Sequence, residues 1–248
     1  MIEEFDVTTH AFLFDVDGTL IDIAPTPQAV VVPAALRRNL GHLNTLAADA
    51  VALVSGRPLR DLDRLFAPLE LTAIGGHGAE IRRHYHGGIE QLGVPPIEES
   101  LRQKLAQIAS VSDNVLLEDK GYSIAIHYRL APDLESSIIA AVTALCAQAP
   151  EKEFEVLHGK CVVEVKRAGI DKGTGIRTLM QHPPFRGRRP IYIGDDITDE
   201  HAFAVLPEFN GIAISVGRAI PGAAHRFDTP DEVRQWIAAI CRRHPLSN

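Results

Sequence analysis

Four short apolar runs, each ending abruptly in polar or glycine-rich residues, constrain this chain more than any other feature. Ala11-Phe12-Leu13-Phe14 stops at Asp15, and Ala50-Val51-Ala52-Leu53-Val54 stops at Ser55-Gly56-Arg57. Leu71 to Ile74 stops at Gly75-Gly76-His77-Gly78, and Pro190 to Ile193 stops at Gly194-Asp195-Asp196. Runs of this length without polar alternation read as strands buried on both faces. Gly211 to Val216 is a fifth. Helical stripes lie between them: Leu36, Leu40, Leu43, Leu46 and Ala47, then Leu59, Leu62, Leu65 and Phe66 behind Pro58. Asp171 can cap a helix carrying Ile176, Leu179 and Met180. Thr229-Pro230-Asp231-Glu232 opens a last helix with Val233, Trp236, Ile237 and Ile240 on one face. Such alternation predicts an α/β fold, with a doubly wound parallel sheet covered by helices on both faces.

Residues 93–167 break the rhythm. A helix with Ile97, Leu101, Leu105 and Ile108 precedes two strands, Val115 to Glu118 and Ser123 to Tyr128. A second helix, Leu134 to Ala149, precedes Glu155 to Leu157 and Cys161 to Lys166. Helix–strand–strand repeated twice suits a small α+β domain. Gly93-Val94-Pro95-Pro96 opens it and Arg167-Ala168-Gly169 closes it. The expected division is therefore a core of 1–92 and 168–248 with an α+β domain of 93–167 inserted in it.

Composition excludes several classes of function. The net charge of -7 does not suit a nucleic-acid partner, which calls for a concentrated basic face. Cys146, Cys161 and Cys241 are odd in number and widely spaced, so they form neither a disulfide framework nor a CxxC metal site. No apolar stretch reaches the roughly 20 residues that cross a bilayer. The acidic start MIEEFDVTTH lacks the pattern of a signal peptide. A cytoplasmic protein is expected, without a membrane partner, as a monomer or weak homo-oligomer.

The polar residues at the carboxyl ends of the strands carry the chemistry, because open α/β sheets bind ligands there. They are Asp15 and Asp17, Ser55, Lys172 at a helix start, and Asp195, Asp196 and Asp199. Converging acids repel one another unless a hard divalent cation lies among them, and magnesium also keeps positions open for water and phosphate. A carboxylate beside such a cation can attack phosphorus and form an aspartyl-phosphate that water later cleaves. Lys172 and the Ser55 hydroxyl would neutralise and position the phosphoryl group. Asp17, two residues past Asp15, is placed to protonate the leaving oxygen and then activate water.

In combination, Asp15-Val16-Asp17-Gly18-Thr19-Leu20, Ser55, Lys172 and Gly194-Asp195-Asp196 resemble the four motifs of the haloacid dehalogenase superfamily. The resemblance implies Asp15 as nucleophile, Asp17 as general acid and base, and Ser55 and Lys172 on the phosphoryl group. It also implies Mg2+ bound by Asp15, the Asp17 backbone carbonyl and Asp195, with Asp196 and Asp199 nearby, acting through water or on Lys172. The insertion lies where that superfamily places its large, substrate-selecting cap. Within the superfamily the chain is similar to the trehalose-6-phosphate phosphatases, through Gly76-His77-Gly78-Ala79-Glu80, Glu118-Asp119-Lys120-Gly121, His127-Tyr128-Arg129, Val163-Glu164-Val165 and Gly194 to Glu200. That similarity implies a small phosphosugar as partner, with Glu118, Lys120 and Glu164 on its hydroxyls. Arg57 and His77 are further candidates for substrate binding. The chain departs from the family in having Lys166-Arg167-Ala168 where a basic residue and proline often follow.

Two alternatives stay open at this point. The same core serves phosphatases of sucrose phosphate, mannosyl phosphates and other phosphosugars, and related phosphomutases. A non-catalytic partner of a sugar-phosphate synthase would be expected to have lost Asp15, Asp17 or Lys172. His84-Tyr85-His86 reads as a hairpin or loop, not a metal pair.

Overall fold

The structure is a computed structural model that describes residues 5–24, 29–149, 153–159 and 161–245. It divides into two compact units, residues 1–92 with 171–248, and residues 93–170.

In chain order, the larger unit begins with β1 (His10–Phe14), α1 (Ala34–Leu46), β2 (Val51–Val54), α2 (Leu59–Phe66), β3 (Thr72–Gly75), β4 (Glu80–Arg82) and β5 (Glu90–Gln91). The smaller unit follows with α3 (Glu99–Ala109), β6 (Leu116–Asp119), β7 (Ser123–His127), α4 (Glu135–Cys146), β8 (Phe154–Gly159) and β9 (Val162–Arg167). The chain then completes the larger unit with α5 (Lys172–Met180), β10 (Arg189–Gly194), α6 (Thr198–Val205), β11 (Ile212–Val216), β12 (His225–Phe227) and α7 (Pro230–Arg243).

The larger unit is built on an eight-stranded sheet of order β12-β11-β10-β1-β2-β3-β4-β5. The first six strands are parallel. Ala11 to Phe14, Val51 to Val54 and Ile191 to Ile193 are buried throughout, which is why these strands read as unbroken apolar runs. Right-handed crossovers leave β1 and β10 in opposite directions and so place α1 and α6 on opposite faces. α1 packs with α7, and α6 with α5.

The parallel core expected from the sequence is present, and β4 and β5 extend it at one edge as antiparallel strands. After β3 the chain turns back at once through a single turn of 3-10 helix, Gly76–Gly78. A connection this short permits only antiparallel pairing, because a parallel strand needs a crossover of a dozen or more residues. His84-Tyr85-His86 lies in the loop between these strands, where His86 Nδ1 contacts Glu70 Oε2 at 3.0 Å.

The smaller unit is an antiparallel sheet of order β6-β7-β9-β8 with α3 and α4 packed on it. Ile124, Ile126, Val163 and Val165 point to the helices and join Leu105, Ala109, Ile138 and Val142 in one apolar core. Residues 168–170 stay with this unit: Ala168 N–H donates to Glu153 O at 3.0 Å, and Lys166 Nζ donates to Ile170 O at 2.5 Å.

Candidate active site

β1 and β10 form the pair at which the strand order reverses, since β2 and β3 step away on one side and β11 and β12 on the other. Loops leaving the carboxyl ends of such a pair diverge and open a crevice. Phe14 is in register with Ile193, so Asp15 and the Gly194-Asp195 turn emerge side by side. The Asp15 N–H donates to the Ile193 carbonyl at 2.9 Å, carrying the ladder one residue past the strand.

Lys172 is the first residue of α5, whose start is fixed by a capping box between Asp171 and Thr174. Its buried ammonium donates to Asp15 Oδ1 at 2.7 Å and Asp199 Oδ1 at 2.6 Å. Asp199 Oδ1 also accepts from Tyr192 Oη at 2.5 Å, and Asp199 Oδ2 accepts the N–H groups of Asp195 and Asp196, both at 2.9 Å. Asp199 thus ties α5, β10 and the turn after β10 to one carboxylate. Asp15, Asp195 and Asp199 each offer an oxygen within 4.8 Å of the others. Asp196 is exposed, and its Oδ1 accepts from the Ile197 N–H at 2.7 Å.

Asp17 and Arg57 meet as a two-pronged ion pair, Nε to Oδ2 at 2.6 Å and Nη2 to Oδ1 at 2.7 Å. Arg57, expected on substrate, therefore holds the candidate acid. Ser55 is buried at the end of β2, and its Oγ accepts from the Arg57 N–H at 3.1 Å. His77 is buried in a left-handed conformation, φ 57°, with its N–H bonded to Ser55 O at 3.1 Å. Its ring lies so close to Gly56 that a Cβ there would be 2.5 Å from Cε1 and Nε2.

Gly18 is the second glycine that the geometry requires. Its φ is +87°, and a Cβ would lie 2.1 Å from Asp195 Oδ2. Gly18→Ala is expected to push Asp195 aside and lower kcat by about 100-fold, as ångström-scale misplacement does. Phosphate release combined with circular dichroism would check this, and activity within twofold of the parent would show that the loop yields freely.

In the smaller unit, Glu118, Lys120, Glu164 and His127 converge. Lys120 Nζ lies 3.1 Å from Glu164 Oε1 and 4.0 Å from Glu118 Oε2, and His127 Nε2 is 2.9 Å from Glu118 Oε2.

The comparisons with known proteins agree on one family. The trehalose-phosphatase family model matches residues 13–227. The chain belongs to the trehalose-phosphatase family. It is 38% identical to a "Probable trehalose-phosphate phosphatase" of Sinorhizobium fredii, over 95% of this chain and 89% of that one. It is 36% identical to the "Trehalose-6-phosphate phosphatase" of Escherichia coli, over 93% and 86% respectively. Its fold is similar to that of the C. albicans trehalose-6-phosphate phosphatase C-terminal domain, with a TM-score of 0.81 and 22% identity over 95% of this chain and 92% of that one.

In this trehalose-phosphatase family member the charges in the core do not balance by themselves. With all three acids ionised, three carboxylates would face one ammonium, an excess of two negative charges. Burial, reinforced by Asp199 and Asp195, holds Asp15 well above the usual carboxylate range despite Lys172. Burial and the Asp199 charge push Asp195 up to about 7. Lys172 goes the other way: burial opposes its charge, but Asp15 and Asp199 outweigh burial and keep it protonated. Asp15 Oδ2 is buried without a hydrogen bond, an arrangement that is costly unless a cation or ligand completes it. One divalent cation would offset the excess charge, and oxygen donors suit a hard ion such as magnesium.

Two supporting residues escaped the sequence reading. Tyr192 sits inside an apolar strand, where a hydroxyl must find a partner, and its partner is Asp199. Ser123 donates to Glu164 Oε1 at 2.5 Å from a fully buried position.

Proposed function

We propose that this chain hydrolyses trehalose 6-phosphate to trehalose and phosphate, through an aspartyl-phosphate on Asp15. The observation that carries the mechanism is the buried Asp15 carboxylate, anchored on one oxygen by Lys172, at the switch point of the sheet. The smaller unit acts as the substrate-selecting domain.

Asp15 attacks phosphorus, and the bond from phosphorus to the sugar oxygen breaks as Asp17 donates a proton to that oxygen. Asp17 then takes a proton from water, which attacks the phosphorus and releases Asp15 and phosphate. Both Asp17 oxygens accept from the Arg57 fork in this arrangement, so one prong opens for Asp17 to carry the proton while the other keeps the carboxyl group oriented. Ser55 Oγ accepts from the Arg57 N–H, which leaves its own proton for a phosphoryl oxygen. Lys172 supplies positive charge to the same group and keeps Asp15 oriented. Magnesium, held by Asp15, Asp195 and the Asp17 carbonyl, would neutralise developing negative charge on the phosphoryl oxygens. Asp199, with both oxygens engaged by four donors, positions Lys172 and the Asp195 turn. Glu118, Lys120 and Glu164 take the sugar hydroxyls, since carboxylates accept from them and an ammonium donates.

The test is phosphate release by purified protein with magnesium, comparing trehalose 6-phosphate with glucose 6-phosphate, sucrose 6-phosphate and mannosyl phosphates. A preference of roughly 100-fold or more for trehalose 6-phosphate is expected, as polar recognition readily provides. A chelator should abolish turnover. Preference for another sugar phosphate would retain the Asp15 chemistry and overturn the substrate.

A further inference from the structure

The strand β7 alternates with the ordinary two-residue period. Ile124 and Ile126 face the helices, while Ser123, Ala125 and His127 occupy the opposite face. On that face Ala125 pairs with Glu118 on one side and Glu164 on the other. Side chains paired across antiparallel strands point the same way, with Cβ atoms about 5 Å apart, so the two glutamates start about 10 Å apart. The residue paired with both is Ala125, a small side chain at a central-strand position where larger β-branched residues are favoured. The Lys120 ammonium reaches both carboxylates across this gap.

Stability does not account for this arrangement. Two acids sharing one lysine on a largely buried sheet face hold a fold together no better than apolar residues of the same volume. The Ser123 hydroxyl adds a bond to Glu164 on the oxygen that Lys120 also holds, which fixes the carboxylate's direction. His127 does the same for Glu118, whose acid lies below its usual range because His127 and Lys120 outweigh the upward push of burial.

We propose that the selectivity of this face is shaped by two residues not among those already assigned to the sugar. Ala125 is the specificity-determining residue that sets the room between Glu118 and Glu164, and Ser123 is the positioning residue that aims Glu164. The proposal rests on the reading of the chain as a sugar-phosphate phosphatase and goes beyond it by naming what shapes its selectivity.

The experiment compares kcat/KM for trehalose 6-phosphate with that for p-nitrophenyl phosphate, which offers no sugar hydroxyls, in the parent, S123A and A125V. The ratio should fall about tenfold in S123A, the size expected for one hydrogen bond to a charged group, and further in A125V. The loss should lie in KM for the sugar substrate, and calorimetric binding of trehalose should weaken in step. An unchanged ratio, or equal losses on both substrates in S123A, would overturn the proposal. If A125V loses both activities through misfolding, S123A decides alone. If the parent prefers another sugar phosphate, the substrate reading fails, and the same ratio measured with that compound still decides the roles of Ser123 and Ala125.

Discussion

Asp15→Asn should release no measurable phosphate, a loss on the order of 10⁴-fold or more, while remaining folded. The amide keeps the shape of the carboxylate but cannot attack phosphorus. Folding should survive because Lys172 retains Asp199 at 2.6 Å, so its buried charge is not orphaned. In a chelator the variant should melt at or above the parent temperature. Burial, with Asp199 and Asp195 adding to it, holds the Asp15 acid well above its ordinary value, so the folded state binds that proton more tightly than the unfolded chain. Stability linked to this proton is full below the ordinary carboxylate value and is lost as the pH rises towards the raised one. The variant cannot ionise, so its advantage should shrink as the solution is acidified. Thermal melts at several pH values alongside a phosphate assay would check both parts. Retained turnover would remove Asp15 as nucleophile, and a sharply lowered melting temperature would show that its charge holds the site together.

Lys172→Ala should have the larger effect on stability. Asp15, Asp195 and Asp199 would be left facing one another without their ammonium. Breaking a buried ion pair typically costs about 3–5 kcal/mol. For a chain of 248 residues this corresponds to a melting temperature lower by roughly 6–20 °C. kcat should fall by about 100- to 1,000-fold, the loss typical of removing one donor aimed at developing charge. Added magnesium should restore part of the melting temperature, because a ligand that binds only the folded state stabilises it by mass action. Calorimetry with and without magnesium measures this. A variant that melts with the parent would mean that the acids do not act as one cluster.

Much of the fold was legible because a strand buried on both faces has no polar alternation, and β1, β2, β10 and β11 all show this. The capping Asp171 and Thr229 were legible too, as each is an oxygen-bearing side chain ahead of an apolar stripe. The antiparallel β4–β5 pair was not. Glu80-Ile81-Arg82 and Glu90-Gln91 are too short and too charged to show a period, and Arg82 is buried only because it forks onto Asp63 and donates to two carbonyls. α6 escaped for a related reason: its eight residues begin inside the acidic turn and carry little apolar pattern.

The sequence by itself determined which segments are buried strands, which polar residues stand at their ends, and hence the class of chemistry the chain can support. Tertiary structure decided the partners: Arg57 on Asp17 across 40 residues, Lys172 on Asp15 across 157, and Ser123 on Glu164 across 41. Periodicity reports whether a side chain faces the interior, because burial follows from local geometry. It carries no record of which distant strand lies alongside. Register and strand order supply that, and with it the difference between a row of acids and a site.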